Sequence, residues 1–131
     1  MDEYFPMTKF LFVHNNLPAQ FRRLMEHLAS DRRNIVKGVG AHTAKKMKDI
    51  EIVRYRISTT GVSAVHPFAR RFEIECRRAE QVLYAVAALR ANGFEPDMIV
   101  VHPGWGEAIP LREIFPAAKF LCYCEFYYGA A

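Results

Sequence analysis

The chain has 131 residues, of which 51% are hydrophobic and 24% are charged, and its formal net charge is +4. This length suits a single globular domain, and the composition excludes an intrinsically disordered chain. No apolar run approaches the roughly 20 residues that cross a bilayer, and the acidic start MDEYFPMTKF is unlike a secretory signal, so the sequence predicts a cytoplasmic protein.

Basic residues are concentrated before residue 80, in pairs such as Arg22-Arg23, Arg32-Arg33 and Arg70-Arg71. A solvated surface is the first interpretation of any one pair, and contact with phosphates or an anionic membrane is the second. No zinc-finger spacing or RNP aromatic motif accompanies the charge, so we expect no nucleic-acid partner.

The three cysteines are Cys76, Cys122 and Cys124, and the last two alternate along a predicted buried strand. An odd count favours reduced thiols that pack as small hydrophobic groups. Because neither a second cysteine pair nor a nearby histidine accompanies Cys122 and Cys124, we expect no metal site.

The first predicted strand is the apolar run Lys9–His14, which is typical of a strand covered on both faces. The segment Asn15-Asn16-Leu17-Pro18 interrupts it, and Asn16 is expected to cap a helix. Helical spacing predicts a buried face made of Leu17, Phe21, Leu24 and Leu28.

Two further strands are predicted at Asn34–Val39 and Glu51–Ile57, separated by the polar loop AHTAKKMKD. A long helix begins near His66-Pro67 and ends at Asn92-Gly93, where glycine adopts the left-handed conformation easily. The buried face of this helix is predicted to be Phe72, Cys76, Ala79, Leu83, Val86 and Ala87. Arg71, Arg78 and Arg90 lie largely outside that face. Glu73 and Arg77 are predicted to form an ion pair on the surface.

The fourth strand is predicted at Asp97–His102, followed by a short helix through Glu107–Phe115 and a fifth strand at Lys119–Cys124. Strands that alternate with helices predict a Rossmann-like three-layer α/β/α domain with a mainly parallel five-stranded sheet. A strand order of 3-2-1-4-5 places the topological switch point between the first and fourth strands. The turns after these two strands are therefore expected to open into one crevice.

The candidate site residues lie in those turns. His102 could donate a hydrogen bond to a ligand or could close the strand structurally. Gly104–Glu107 offers backbone N–H groups at a helix start, a natural anion site, where Glu107 either caps the helix or takes part in chemistry. Trp105 either stacks on a sugar or base or packs the rim. Asn15 and Asn16 present amides on the other turn.

Several enzyme motifs are missing from the sequence. No Gly-x-Gly-x-x-Gly follows the first strand, and no serine elbow or Cys/His pairing is present. The residues therefore indicate binding chemistry without a complete catalytic set.

Four segments of the chain resemble glycosyltransferase family 4: FLFVHNNLPAQFRRLMEHLA, VRYR, HPFARRFE and HPGWGEAIPLREIFPAAKFLCYCEFYY. The closest likeness is to the N-terminal domain of the group with a His-Pro-Gly-Trp-Gly-Glu turn. The resemblance implies the GT-B fold, in which two Rossmann-like domains face a cleft. Residues 1–131 are then one N-terminal domain, inactive by itself, and the C-terminal nucleotide-sugar-binding domain is absent.

The resemblance further implies transfer of a hexose from a nucleotide-sugar to a saccharide or lipid-linked acceptor, with retention of configuration and without an obligatory metal or other cofactor. By matching position, Asn15, Asn16 and Ala19 would approach the donor phosphate or sugar, although relatives carry glycines in this loop and this chain has none. His102 would be the catalytic residue that reaches the transferring sugar. The acceptor side would be lined by Gly104, Trp105, Gly106 and Glu107.

An alternative interpretation is a stand-alone α/β binding or protein-interaction module without catalysis. Such a module could form a homodimer that covers Trp105, Tyr127 and Tyr128. A further partner is an anionic membrane at its inner face, contacted peripherally by Arg70-Arg71 as in relatives that act on lipid-linked acceptors.

Overall fold

A computed structural model of the chain describes residues 7–124. Within this range five strands form one parallel sheet: β1 (Thr8–Val13), β2 (Asn34–Ala41), β3 (Glu51–Tyr55), β4 (Met98–Val101) and β5 (Lys119–Cys122). The α-helices of the same range are α1 (Arg22–Ser30), α2 (Arg70–Ala91) and α3 (Leu111–Ile114). Short 3-10 turns occupy Ala19–Phe21, Val62–Ala64, Pro67–Ala69 and Pro103–Trp105.

The strands follow the order β3-β2-β1-β4-β5, which confirms the predicted Rossmann-like α/β fold and its switch point between β1 and β4. At the carboxyl end of β1, Val13 lies opposite Val39 of β2 and Val101 of β4. No helix within residues 7–124 is long and apolar enough to cross a membrane.

Two hydrophobic cores cover the two faces of the sheet. Leu11 and Val13 point into the core beneath α2, while Phe12 points into the core beneath α1. All three side chains are fully buried, because successive side chains of a strand point to opposite faces and both faces are covered. This arrangement explains why β1 reads as a continuous apolar run.

Helix α1 starts later and faces the core differently than predicted. Asn16 does not cap it, because the preceding 3-10 turn has Pro18 at its N-cap position without a side-chain cap. Leu24 is 43% exposed, whereas Met25 is fully buried. The 3-10 turn advances the chain by a different angle per residue than an α-helix, and the predicted periodicity did not include that change.

Helix α2 confirms the predicted end and ion pair, but it begins at Arg70, after the 3-10 turn Pro67–Ala69, and its buried face differs from the predicted one. The Nε of Arg77 lies 3.0 Å from Oε1 of Glu73, and Gly93 ends the helix with a φ of 89°. Phe72 is 63% exposed, and Leu83 and Ala87 are not buried either. The buried positions are Ala79, Val82, Ala85, Val86 and Leu89.

Two other segments differ from prediction in burial. The loop between β2 and β3 was expected to be polar, but Ala44 and Met47 pack into the α1-side core. Strand β5 was expected to be buried, but it forms the sheet edge, where Cys122 and Cys124 are exposed. Those two thiols therefore do not pack as core groups. Cys76 is partly buried.

Candidate functional site

The carboxyl ends of β1 and β4 bring two histidines together at the switch point. His14 follows β1 and His102 follows β4, and their ring centroids are 5.0 Å apart. The N–H of His102 donates to the carbonyl oxygen of Val13 at 3.1 Å, which extends the pairing of the two strands by one residue. The turns that carry the candidate residues therefore begin side by side.

Each of these rings accepts a hydrogen bond from the turn that follows it. Nδ1 of His14 accepts from the N–H of Asn16 at 2.9 Å, and Nδ1 of His102 accepts from the N–H of Gly104 at 3.2 Å. A neutral imidazole that accepts at Nδ1 carries its proton on Nε2. The hydrogen bond at Nδ1 of His102 favours the tautomer in which Nε2 is the hydrogen-bond donor.

Trp105 lies over the ring of His102. The two ring centroids are 6.4 Å apart at an interplanar angle of 22°. His102 is 2% exposed, whereas Trp105 is 40% exposed. Nε2 of His102 is itself buried, so a ligand reaches this atom only when neighbouring groups move aside.

Glu107 is buried behind this turn and joins it to β3 and α2. The Tyr55 hydroxyl donates to Oε1 of Glu107 at 3.1 Å, and Nε of Arg78 lies 4.0 Å from the same oxygen. Nη1 of Arg78 also donates to the carbonyl oxygen of Trp105 at 2.7 Å. The carboxyl group therefore holds the turn from inside the molecule, and it does not lie on the surface where the sequence placed an acceptor.

Burial determines the protonation behaviour of this group. Loss of solvent raises the pKa of Glu107 above its usual range, although the Tyr55 hydroxyl and the charge of Arg78 favour the carboxylate. Within residues 7–124, Oε2 of Glu107 has no hydrogen-bond partner. Burial and the neighbouring carboxyl group also raise the pKa of Tyr55, which keeps its hydroxyl protonated as a donor.

The turn after β4 depends on its glycines. The φ of Gly106 is 100°, and a Cβ atom there would collide with the backbone carbonyl oxygen of Glu75 in α2. A Cβ atom on Gly104 would lie 2.8 Å from Cε1 of His102. The chain therefore passes too close to α2 and to the imidazole ring for any side chain at these two positions.

The predicted helix start at Gly104–Glu107 is wrong. The helix expected at Glu107–Phe115 is only α3, which begins at Leu111 and has four residues. Its N-cap position is Pro110, so Glu107 does not cap it. The residues Pro103–Trp105 form a 3-10 turn instead, which the left-handed Gly106 ends.

A cleft of about 460 Å³ opens beside the first turn, on the β2 and β3 side of β1. It is lined by Asn15, Asn16, Ala41, His42, Thr43, Tyr55, Ile57 and Arg78. The structure thus brings the two predicted asparagines together with residues from β3 and α2. Ala19, with a φ of 44°, and the segment Gly104–Glu107 do not line this cleft.

The family of the chain follows from a comparison with known families. A family model described as a glycosyl transferase family 4 group matches residues 32–131. The chain belongs to this family. The match includes β4, the turn that carries His102 and Trp105, and most of the residues that line the cleft.

Comparisons with individual proteins add little to this assignment. No curated protein matches the chain. Among solved structures, a short chain dehydrogenase family protein from Francisella tularensis subsp. tularensis SCHU S4 is similar, with 8% identity and a TM-score of 0.44. The similar region covers 73% of this chain and 31% of the dehydrogenase, so the chain spans less than a third of the length of that protein.

The sequence of this glycosyltransferase family 4 chain did not reveal Arg78, His42 or Thr43 as site residues. Arg78 was placed outside the buried face of α2, but 15% of its side chain is exposed and it contacts the turn after β4. His42 had no partner pattern in the sequence. His42 lies near Tyr55 because β2 pairs with β3. The residues around His42 in the sequence do not indicate this pairing.

Proposed function

We propose that this chain is the acceptor-side domain of a retaining glycosyltransferase that moves a sugar from a nucleotide-sugar to a saccharide or lipid-linked acceptor. One observation carries the proposal: in a chain of glycosyltransferase family 4, β1 and β4 meet at the switch point, and His102 follows β4 there with its Nδ1 atom accepting from the N–H of Gly104. Ligands of open parallel sheets bind at this position.

In this proposal His102 donates a hydrogen bond to a hydroxyl of the transferring sugar. The bond between the anomeric carbon and the donor phosphate breaks, and the acceptor oxygen forms a bond to that carbon on the same face. The acceptor proton passes to the departing diphosphate. Trp105 moves off His102 when the sugar enters and then packs on the apolar face of the sugar ring.

The proposal includes a second, nucleotide-sugar-binding domain. The loop Asn15–Ala19 contains no cationic side chain, although the diphosphate of a nucleotide-sugar carries negative charge that a protein normally pairs with basic groups. The second domain supplies these groups, and residues 1–131 alone are inactive. The diphosphate is stabilised without an obligatory metal.

The test measures transfer by the 131-residue chain alone and by the same chain extended at its carboxyl end with a nucleotide-sugar-binding domain. Both proteins are incubated with UDP- and GDP-hexoses and a pool of saccharide and lipid-linked acceptors. We expect transfer only by the extended protein, and we expect the product to keep the anomeric configuration of the donor, as read by NMR. Persistent absence of transfer and of donor hydrolysis would contradict the proposal.

Variants of two histidines test the role of His102. Loss of one preorganised donor lowers kcat by about 10²–10³-fold in comparable sites, and we expect an effect of this order from His102→Ala in the extended protein. His66→Ala is the matched control. Nδ1 of His66 accepts from the N–H of Phe68, as Nδ1 of His102 accepts from the N–H of Gly104. His66 is exposed, however, and it follows neither β1 nor β4. Equal loss in both variants would assign His102 a structural role.

Peripheral membrane contact is also part of the proposal. Phe68, in the 3-10 turn before α2, is 94% exposed, and Phe72, in the first turn of α2, is 63% exposed. Between them lies Arg71, whose side chain is 79% exposed. Aromatic and basic groups in this arrangement suit the interface of an anionic membrane.

The second candidate function is a stand-alone interaction module that forms a homodimer. Its support is the exposed edge of the sheet, where Leu121 is 52% and Tyr123 is 48% exposed, together with Trp105, which is 40% exposed. Tyr127 and Tyr128 of the expected dimer surface lie outside the described residues. A concentration-dependent dimer in sedimentation equilibrium that Tyr123→Ser abolishes, together with absent transfer, would favour this function.

A further inference from the structure

The cleft beside the first turn has a chemical character that the proposed function does not use. Its polar wall consists of the amides of Asn15 and Asn16, the hydroxyl of Thr43 and the imidazole of His42. Ala41 and Ile57 provide an apolar surface in the same cleft. Amide and hydroxyl groups beside an apolar surface suit a ring that carries several hydroxyl groups.

The charge of the cleft has one sign. None of the described residues that line it is Asp or Glu, whereas Arg78 and His42 are basic. Arg78 is fixed in place, because Nη1 donates to the carbonyl oxygen of Trp105 at 2.7 Å. A guanidinium whose position is set in advance loses little entropy when it binds an anion.

The acid nearest to Arg78 is a weak competitor for a ligand. Glu107 is fully buried, with one oxygen 4.0 Å from Nε of Arg78 and the other without a hydrogen-bond partner among the described residues. The raised pKa of Glu107 also weakens its charge relative to an exposed carboxylate. An anion in the cleft therefore meets Arg78 with incomplete compensation.

We propose that this cleft binds an anionic group, a phosphate or a carboxylate, of a polyhydroxylated acceptor, with Arg78 and His42 as its partners. The inference rests on the proposed function and names its acceptor class. The cleft lies on the β2 and β3 side of β1, away from His102 at the β1–β4 junction. It therefore holds a part of the acceptor remote from the hydroxyl that reacts.

The test is a binding titration on the 131-residue chain, in which the NMR signals of its backbone and side-chain amides report binding. The probes are glucose 6-phosphate, glucuronate, neutral methyl glucoside, inorganic phosphate, UDP and GDP. We expect both anionic sugars to shift the Asn15, Asn16 and Thr43 signals and one of them to bind at least about tenfold tighter than methyl glucoside, because charge-assisted hydrogen bonds are stronger than neutral ones. The anionic sugar that binds more tightly shows whether the cleft prefers a phosphate or a carboxylate.

Two variants locate the anion. Arg78→Gln removes the cation, and His42→Glu places a carboxylate on an exposed position of the cleft wall. We expect each to weaken binding of the anionic sugar at least about tenfold while leaving methyl glucoside nearly unchanged. Ala88→Glu, an exposed position of α2 ten residues from Arg78, is the control with a similar charge change. If Arg78→Gln unfolds the chain, His42→Glu decides alone.

The inference would be overturned if no probe binds at millimolar concentration, or if methyl glucoside binds as tightly as the anionic sugars. It would also be overturned if His42→Glu has no more effect on binding than Ala88→Glu. A fourth contrary outcome is that UDP or GDP shifts the cleft signals at a lower concentration than either anionic sugar. The last outcome would assign the cleft to the donor. None of these measurements depends on transfer. Failure of glycosyl transfer in the extended protein therefore remains a separate result.

Discussion

Gly106 is the residue at which the turn after β4 passes closest to α2. Its φ of 100° disfavours any side chain, and a Cβ atom would collide with the carbonyl oxygen of Glu75. We expect Gly106→Ala to lower the free energy of unfolding by about 2–5 kcal/mol, since backbone strain costs about 1–2 kcal/mol and overpacking about 1–3 kcal/mol. Urea denaturation followed by circular dichroism measures this change.

Gly61 and Gly93 provide the controls for that substitution. Their φ values are 77° and 89°, and nothing lies within 4 Å of a Cβ atom built on either residue. Gly61→Ala and Gly93→Ala therefore report the backbone strain alone, about 1–2 kcal/mol. Equal costs at all three positions would show that contact with α2 does not constrain the turn.

The buried Glu107 predicts how stability changes with pH. Because its pKa is raised in the folded protein, the folded state binds more protons than the unfolded state above the unfolded pKa of about 4.5. The favourable contribution of the protonated acid is complete below that value and is lost as pH rises through the folded pKa. The free energy of unfolding is therefore expected to fall over this window.

Glu107→Gln isolates this effect, because glutamine has the same shape and does not titrate. We expect the difference in unfolding free energy, wild type minus Glu107→Gln, to decrease as pH rises above about 4.5 and then to level off. Urea denaturation at a series of pH values measures it. A difference that stays constant, or that increases with pH, would contradict burial as the main influence on this carboxyl group.

At the scale of single residues, the sequence placed the turns after β1 and β4 at the switch point but did not predict the contacts of their side chains. His102 could be placed at the sheet edge because the apolar run of β4 ends there. The partner of Glu107 could not be predicted, since Tyr55 is 52 residues away in the chain. Arg78 was missed for the same reason: its contact with Trp105 depends on how α2 crosses the sheet and not on its local periodicity.

Among the elements, α1 provides a direct comparison of a buried and an exposed neighbour. Met25 is fully buried in the core beneath α1, whereas Leu24 is 43% exposed. We expect Met25→Ala to lower the unfolding free energy by about 2–4 kcal/mol, because it leaves a cavity. Leu24→Ala should cost less than about 1 kcal/mol. If Leu24→Ala lowers the unfolding free energy more than Met25→Ala does, Leu24 belongs to the buried face of α1, as the sequence predicted.

Strands were easier to predict than helix faces, for a physical reason. A strand with both faces covered must be apolar throughout, so β1 and β4 are recognisable from composition alone. A helix face depends on the phase at which the helix begins, and 3-10 turns precede both α1 and α2. The same dependence on distant packing explains why α3 is four residues long and why β5 is an exposed edge.

For the whole molecule, the strand order followed from the chain alone, because right-handed crossovers and a switch point leave few topologies for alternating strands and helices. The two cores then share β1, whose alternate side chains enter opposite faces. The distribution of surface charge and exposed aromatic groups was less predictable. Arg70, for example, donates to the carbonyl oxygens of Val65 and Ser63, whereas the sequence predicted a solvated surface or, as the second interpretation, membrane contact for Arg70 and Arg71.

The exposed start of α2 leads to a prediction for the molecule as a whole, that it binds anionic vesicles. Phe68 and Phe72 are exposed, and residues 70–78 carry four arginines against two glutamates. Full burial of a phenylalanine side chain contributes about 1.5–3 kcal/mol. We therefore expect the double substitution Phe68→Ser, Phe72→Ser to lower the partition of the chain onto anionic vesicles at least about tenfold.

Sedimentation with sucrose-loaded vesicles of phosphatidylserine and phosphatidylcholine measures this partition. Tyr84→Ser is the matched control, since Tyr84 is 57% exposed on the same helix about three turns further along. Binding should weaken with added salt, because the arginines contribute through electrostatic attraction to the anionic surface. If Tyr84→Ser weakens binding as much as the double substitution, or if the wild-type chain stays in the supernatant, α2 does not contact a membrane through its first turns.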